Sequence, residues 1–280
     1  DIPFLKSSFI AGINREWAVL LGAFLLVPVF SFLIQAEEIT DYILLLVGFG
    51  ILGYILFNAF KSDEKEEGQR LLVFMALFFV HMIFWALFEQ AGGSINILTD
   101  RYVNKHGIET SQFQSVNALF IILLAPVFTW IWTVLGRKKL EPRTPMKFFY
   151  AMLQIALGYF IIVIGAKSIL PEVNEGGLIP IVFVLGMYLF HTTGELSLSP
   201  VGLSVVTKLS PVKTVGFVMG SWFVSIAFGH KIGGYLGKLI ASPPEGATKA
   251  MELQSFINVY MNWGVYIVLG VAAILFFISP

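Results

Sequence analysis

The sequence lacks cysteine and has little charge. None of its 280 residues is a cysteine, which excludes a disulfide framework, thiol catalysis and cysteine-ligated metal sites. Only 13% of the residues are charged, whereas a typical soluble domain carries about 25%. The 18 basic residues balance 18 acidic ones, so a nucleic-acid partner attracted through its phosphates is excluded as well. With 57% hydrophobic residues and a mean hydropathy of +0.81, the composition indicates a membrane protein and not a water-soluble enzyme.

Long apolar windows recur along the whole chain. A helix needs roughly 20 apolar residues to cross a bilayer core about 30 Å thick. Eight windows meet this requirement: residues 17–35, 42–60, 71–88, 113–136, 148–166, 176–194, 214–230 and 253–280. The seventh continues past Lys231 to Gly237. Their apolar residues lie on all sides of a helix, without the single stripe of a soluble amphipathic helix. The sequence therefore predicts an all-α membrane protein with about eight transmembrane helices.

The basic residues predict the orientation of these spans, because cytoplasmic loops carry an excess of Lys and Arg. With eight spans, the loops fall alternately on two sides of the membrane. One side holds twelve basic residues: Lys6, Arg15, Lys61, Lys65, Arg70, Arg137, Lys138, Lys139, Arg143, Lys147, Lys208 and Lys213. The other holds five: Arg101, Lys105, Lys167, Lys238 and Lys249. The first group is predicted to be cytoplasmic, together with both ends of the segment.

A charged stretch suggests an internal division. Residues 61–70 read KSDEKEEGQR and separate the first two spans from the other six. We interpret residues 1–70 as a helix pair with a charged linker, and residues 71–280 as a six-helix bundle. In the seventh span, Gly216 and Gly220, then Gly229, Gly233 and Gly237, recur every four residues, which predicts close helix contacts on one face.

Three ionisable residues are interpreted as lying inside the membrane: Glu89 and Glu195, which directly follow the third and sixth windows, and Lys231 in the extended seventh span. Such residues are costly in a bilayer unless they face a cavity or a partner, so each is a candidate functional residue. Lys231 lies near the end of its span, where its side chain can also reach the membrane surface. His81 and Trp85 precede Glu89 by eight and four residues, so the three share roughly one helix face. His81 and Trp85 could equally be packing residues.

A second polar group surrounds Glu195. Ser199 follows it by four residues on the same face, and Pro200 removes one backbone hydrogen bond of the helix. A carboxylate beside a proline-broken turn is expected where irregular backbone lines a cavity. Asn117 lies one turn inside the fourth span, where it could bind a ligand or bond a neighbouring helix.

The polar residues exclude several chemistries. Two acids in separate spans, without a His or Cys cluster, do not form a metal site, and no nucleophile, base and orienting group occur together. No GxxxxGK[ST] motif is present that would cradle the phosphates of ATP. Ion-coupled movement of a polar solute remains.

Three stretches resemble one family. FWALFEQAGGSINILTDR at residues 84–101, GELSLSPVGLSVVTKLSP at 194–211 and FQSVNALFIILLAPVF at 113–128 are similar to the proton-coupled oligopeptide transporters of the major facilitator superfamily. The likeness covers essentially the whole chain and is to the family's C-terminal half. It implies that the first two spans are the extra helix pair of bacterial members and that the last six are helices seven to twelve. The ExxERFxYY signature of the N-terminal half is absent, so an N-terminal six-helix bundle is the expected partner.

The resemblance also implies substrate-binding roles. Glu195 would receive the amino terminus of a di- or tripeptide, with Ser199 beside it. Asn117 would bond the peptide backbone. Trp85 and Trp222 would line side-chain pockets.

The remaining expectations concern coupling and location. The resemblance implies that Glu89 takes part in gating or proton-linked salt bridges, with protons as the coupling ion and no cofactor or metal. It implies a non-enzymatic symporter working by alternating access in the inner membrane of a bacterial cell. Two alternatives stay open. The same fold could move another solute, such as nitrate or a peptide-like drug, or the chain could be a membrane scaffold that transports nothing.

The predicted orientation can be tested by cysteine labelling, since the chain has no native cysteine. A cysteine replacing Lys105 should react with a membrane-impermeant thiol reagent in intact cells, whereas one replacing Lys139 should react only after the membrane is opened. The reverse pattern would overturn the orientation.

Overall fold

A computed structural model describes residues 7–10, 13–62, 64–210, 214–241 and 246–278. Three residues named above, Lys6, Lys213 and Pro280, lie outside the described residues. The described part is almost entirely helical. Its α-helices are α1 (Arg15–Gln35), α2 (Glu37–Lys61), α3 (Lys65–Phe88), α4 (Ser94–Tyr102), α5 (Ser115–Arg137), α6 (Thr144–Ile169), α7 (Ile181–Leu209), α8 (Val215–Ala241), α9 (Lys249–Val259) and α10 (Val268–Ile278).

Short elements complete the described chain. Two pairs of two- or three-residue strands occur there: β1 (Ser8–Ile10) runs antiparallel to β2 (Ile13–Asn14), and β3 (Val103–Asn104) runs parallel to β4 (Ile179–Pro180). A π-helix at Tyr260–Ile267 joins α9 to α10. Within the described residues, eight helical segments are long and apolar enough to cross a membrane, which confirms the predicted number of spans.

Two of the predicted span limits are wrong. The sixth span was placed at residues 176–194, but α7 begins at Ile181 and continues to Leu209, so that Pro200 lies inside an unbroken helix. The third was ended at residue 88, but the helical segment resumes after a short break and reaches Tyr102. In both places polar residues lower the hydropathy although the membrane segment continues: α7 stays helical past Glu195, and the third segment resumes as α4 after its break.

The chain forms two compact units, Asp1–Gly53 and Tyr54–Pro280. In the first, Asn14 caps α1 by accepting a hydrogen bond from the backbone N–H of Trp17 at 3.1 Å. None of the side chains of α1 is buried, and Phe24 is 74% exposed, as suits a helix surrounded by hydrocarbon. The division into a helix pair with a charged linker at residues 1–70 and a six-helix bundle at residues 71–280 stays a prediction.

The core of the second unit is built around α6. This helix packs most extensively against α7 and also against α10 and the π-helix. Tyr159 near its middle is fully buried, and its ring lies 5.1 Å from that of Tyr260. A Cβ on Gly264 would come within 2.4 Å of the Tyr159 ring, so a glycine is required where the π-helix crosses α6.

Glycines also set the approach of α8 to α3. A Cβ on Gly229 would lie 2.9 Å from the carbonyl oxygen of Met82, and one on Gly233 would lie 3.0 Å from that of Ala86. The predicted glycine contacts are therefore confirmed at these two positions. They are wrong at the other three, Gly216, Gly220 and Gly237, where an added Cβ would meet no described atom within 4 Å. The four-residue period identified the helix but not the part of it that touches a neighbour.

The difference between the two kinds of glycine yields a test on a single helix. Gly229→Ala should destabilise the protein by about 1–3 kcal/mol, because backbone atoms of α3 must move away. Gly220→Ala should leave stability unchanged or raise it by up to about 1 kcal/mol, because alanine favours a helix over glycine. Thermal unfolding of the two variants in detergent compares them, and equal midpoints would contradict the close packing of α8 on α3.

Candidate functional site

The third membrane segment is broken at the candidate acid Glu89. Helix α3 ends at Phe88, a single 3-10 turn covers Glu89–Gly92, and α4 begins at Ser94 after Gly93. The expected irregular turn was placed at Pro200, where the helix is continuous. Adjacent glycines at 92 and 93 are the sequence signal that would have located the break, since glycine adopts backbone angles that interrupt a helix.

Buried side chains satisfy the backbone around this break. Gln90, only 4% exposed, donates from Nε2 to the carbonyl oxygens of Ala86 at 3.0 Å and of Gly233 at 2.9 Å. Ser94 donates to Gln90 Oε1 at 2.7 Å. Tyr159 donates its hydroxyl to the carbonyl of Leu87 at 2.7 Å. The break is thus held by hydrogen bonds from three helices and is a built feature of the bundle.

Glu195 lies on α7 opposite Asn117 of α5. The Asn117 amide nitrogen donates to Glu195 Oε2 at 3.0 Å and to Thr192 Oγ at 3.1 Å. Thr192 in turn donates to the carbonyl of Tyr188 at 2.7 Å. Glu195 and Asn117 are both half-buried. Two candidate residues from different helices therefore meet, and the contact orients one carboxylate oxygen of Glu195.

Glu89 approaches a histidine of α8. Its Oε1 lies 3.9 Å from Nε2 of His230, an ion pair when the ring carries a second proton. The two side chains are 38% and 54% exposed. This pair links the broken third segment to α8.

The two candidate tryptophans are joined through His81. Trp85 donates its indole N–H to His81 Nε2 at 2.7 Å, and the His81 ring lies 4.1 Å from the ring of Trp222. His81 Nδ1 lies 2.6 Å from the hydroxyl of Ser225, which donates to the carbonyl of Trp222 at 2.6 Å. Both His81 and Trp222 are 3% exposed.

Ser199 is half-buried on the same face of α7 as Glu195. One turn further, a Cβ on Gly202 would lie 3.0 Å from the six-membered ring of Trp222. The face that carries Glu195 and Ser199 therefore continues onto the surface of this indole.

We also expect Glu89 and Glu195 to face a central polar cavity and not lipid, because an unpaired carboxylate in hydrocarbon is costly. This stays a prediction.

Sequence reasoning missed three side chains of this region: Thr192, Ser225 and His230. Each lies within three residues of a candidate residue on the same helix. A hydroxyl in a membrane helix usually bonds its own helix, so residue type and position did not single these side chains out. Their contacts with a neighbouring helix are visible only in the structure. Lys231, the third candidate, lies with its ammonium 5.8 Å from the centre of the Tyr235 ring. Among the described residues, no group of three or more His, Asp or Glu side chains could hold a metal ion.

A membrane helix that is broken beside acidic and polar side chains is a feature found in secondary-transporter folds. The comparisons specify which kind. The family model described as the POT family matches residues 16–253, and the chain belongs to this family. The resemblance inferred from the three sequence stretches is confirmed.

Curated relatives in bacteria agree with this assignment. A peptide transporter of Yersinia enterocolitica is 36% identical over 233 residues, covering 82% of this chain and 44% of the relative. Dipeptide and tripeptide permease A of Salmonella typhimurium is 29% identical over 251 residues, covering 88% and 48%. The chain therefore spans about half the length of the curated relatives it matches.

Solved structures match the fold. A POT family transporter in complex with 5-aminolevulinic acid is similar at a TM-score of 0.68 and 26% identity, covering 95% of this chain and 54% of that one. A peptide transporter of the same family in complex with sulfate matches at 0.69 and 29%, covering 95% and 52%. These matches confirm the predicted all-α membrane fold of the major facilitator superfamily.

The role of Gln90 at the helix break can be tested by Gln90→Leu. This change removes the donor to two carbonyls and the acceptor for Ser94, so we expect a loss of about 1–3 kcal/mol of stability. Gln254→Leu is the control, because Gln254 bonds only Asn258 at the exposed surface of α9. The midpoint of thermal unfolding in detergent should fall for the first variant and stay within error for the second; a similar fall for both would contradict the special role of Gln90.

Proposed function

We propose that the chain is the C-terminal half of a transporter that carries di- and tripeptides into the cell together with protons, by alternating access. The observation that supports this most directly is the contact of Asn117 with Glu195. A fixed carboxylate beside an amide suits the ammonium group and the first peptide bond of a substrate. The match to about half the length of peptide permeases supports an incomplete site that a second bundle closes.

Glu195 is proposed to bind the substrate's amino terminus. An ammonium ion in a water-poor site needs an opposite charge and hydrogen-bond acceptors. Glu195 Oε2 already accepts a bond from Asn117, so the carboxylate is held in one orientation before substrate arrives. Such preorganisation lowers the cost of ordering side chains on binding. The carbonyl oxygen of Asn117 is then suited to accept an N–H of the peptide backbone.

The other predicted residues complete the proposed site. Ser199 offers a hydroxyl beside Glu195, and the indoles of Trp85 and Trp222 offer apolar walls for peptide side chains. Glu89 is proposed to accept the coupling proton. The ion pair between Glu89 and the neighbouring His230 would then be lost when Glu89 is neutralised. We propose a location in the bacterial inner membrane, with the loops that carry twelve basic residues on the cytoplasmic side. We propose no cofactor.

Competition for Glu195 is proposed to link binding to movement. In the empty transporter, a Lys or Arg of the N-terminal bundle would pair with this carboxylate; in the loaded one, the substrate's ammonium would replace it. Arrival of the peptide then removes a contact between the two bundles. A ligand shifts a conformational equilibrium only through a difference in its interaction with the two states, and the exchange of ion-pair partners supplies that difference.

Glu195→Gln in the complete transporter tests the assignment. Binding of dialanine should weaken by about 10- to 100-fold, because a charge-assisted hydrogen bond is lost. N-acetyl-dialanine, which has no ammonium group, should lose much less. Glu172→Gln, a change at an exposed loop acid, is the matched control and should bind both ligands as the unmodified protein does. Near-equal losses for the two ligands would show that Glu195 does not recognise the amino terminus.

Uptake measurements on the complete transporter distinguish the alternative functions. Uptake of a labelled dipeptide that unlabelled dipeptides inhibit and nitrate does not would support peptide cargo. Inhibition by nitrate alone would support the anion alternative. Uptake that persists after both Glu89→Gln and Glu195→Gln would indicate that these acids are structural.

A further inference from the structure

A continuous run of hydrogen bonds connects helices α3 and α8 at the level of the two tryptophans. It begins at the indole N–H of Trp85, passes through both ring nitrogens of His81 and the hydroxyl of Ser225, and ends at the carbonyl oxygen of Trp222. The distances are 2.7, 2.6 and 2.6 Å. We call these four residues the His81 relay.

The direction of the relay follows from the chemistry of its first member. An indole nitrogen can only donate a hydrogen bond, so Nε2 of His81 must accept and carries no proton. The single ring proton is then on Nδ1 and is donated to Ser225. The Ser225 hydroxyl accepts this bond and donates its own hydrogen to the carbonyl of Trp222. Every donor in the run has one acceptor, and a second proton on the ring would face the indole N–H of Trp85.

We propose that His81 is a positioning residue which, as the neutral Nδ1–H tautomer, holds the indoles of Trp85 and Trp222 in one fixed arrangement. It does so in two ways. The ring bonds the edge of Trp85, and its face lies against Trp222 with an interplanar angle of 31°. The inference rests on the proposed function, in which both indoles line pockets for peptide side chains.

The packing around the relay explains why a fixed arrangement matters. Trp85 is half-buried and also contacts Phe88, at 5.2 Å between ring centroids. Trp222 lies between His81 and Gly202, beyond which the same face of α7 carries Ser199 and Glu195. A pocket wall that is already ordered does not lose side-chain freedom when substrate binds. His81 thus acts on specificity through the two indoles and without touching the peptide.

A second buried histidine shows that this arrangement is particular to His81. His191 of α7 is 2% exposed and packs against Tyr159, with 4.9 Å between ring centroids. Neither of its ring nitrogens has a side-chain hydrogen-bond partner among the described residues. Burial of a histidine in this bundle therefore does not by itself join its ring to other side chains through hydrogen bonds.

The proton assignment is tested directly by nitrogen NMR. The complete transporter, labelled with ¹⁵N-histidine, should show for His81 a protonated Nδ1 and an unprotonated Nε2, and the signal is identified by its loss in His81→Gln. A proton on Nε2, or on both nitrogens, would overturn the proposal. This measurement does not depend on transport, so it tests the proton positions in the His81 relay independently. If the protein proved not to carry peptides, that result would count against the proposed function and not against the relay.

The positioning role is tested by uptake kinetics. In His81→Phe the ring remains beside Trp222, but Trp85 loses its acceptor. KM for a dipeptide with two aromatic side chains should rise about tenfold, equivalent to about 1.4 kcal/mol, with little change in maximal rate. KM for dialanine, whose methyl groups hardly reach the indoles, should change far less. His81→Gln keeps an acceptor for Trp85 and should restore much of the affinity.

A matched serine pair serves as the control. Ser225→Ala removes the acceptor of the Nδ1 proton, whereas Ser221→Ala removes a buried hydroxyl that only donates to the carbonyl of Phe217 on the same helix. We expect the first variant to raise KM for the aromatic dipeptide and the second to leave it unchanged. Equal effects of the two serine variants, equal effects of Phe and Gln at position 81, or an equal rise for dialanine would each overturn the positioning role.

Discussion

The structure depends on one constraint, which is that a backbone polar group in a bilayer must find its hydrogen-bond partner within the protein. Continuous helices satisfy this constraint by themselves, and most of the spans are of this kind. The third segment is not, because it is interrupted between Phe88 and Ser94. Gln90 and Tyr159 of α6 donate hydrogen bonds to carbonyls of α3, and Gln90 donates a second one to the carbonyl of Gly233 on α8. The interruption is therefore held by contacts with α6 and α8.

The same constraint arranges the polar side chains. A hydroxyl inside a membrane helix can bond a carbonyl of its own helix and still accept from a neighbour, as Thr192 does from Asn117 and Ser225 does from His81. These two inter-helical bonds therefore end on hydroxyls that are already bonded within their own helix. Polar residues at the site consequently occur in short runs and not singly, and Glu195 is oriented because Asn117 is shared between it and Thr192.

The sequence allowed the number of spans and the family to be predicted, because hydropathy marks the spans and three stretches resemble the family directly. It did not give the limits of α7, since Glu195 and Ser199 lower the hydropathy of a helix that continues past them. It placed the irregular backbone at Pro200, but a proline forfeits only one bond, whereas the glycines at 92 and 93 permit a real break. Periodicity correctly placed His81 and Trp85 on one helix face. It could not say which faces meet, so His230, Thr192 and Ser225 became visible only in three dimensions.

The contacts divide the candidate residues between two helix pairs. Helices α3 and α8 are locked in register at three levels, by the ring of His81 at Trp222, by Gly229 beside Met82, and by Gly233 beside Ala86. Because His230 directly follows Gly229, its approach to Glu89 is a consequence of this packing. Helices α5 and α7 form the other pair and are joined by the bond between Asn117 and Glu195. A displacement between the two pairs would change the separation of Glu89 from Glu195 while each acid kept its own partner. Each acid is thus held by a partner within its own helix pair, so a movement that keeps the two pairs intact needs no rearrangement at either carboxylate.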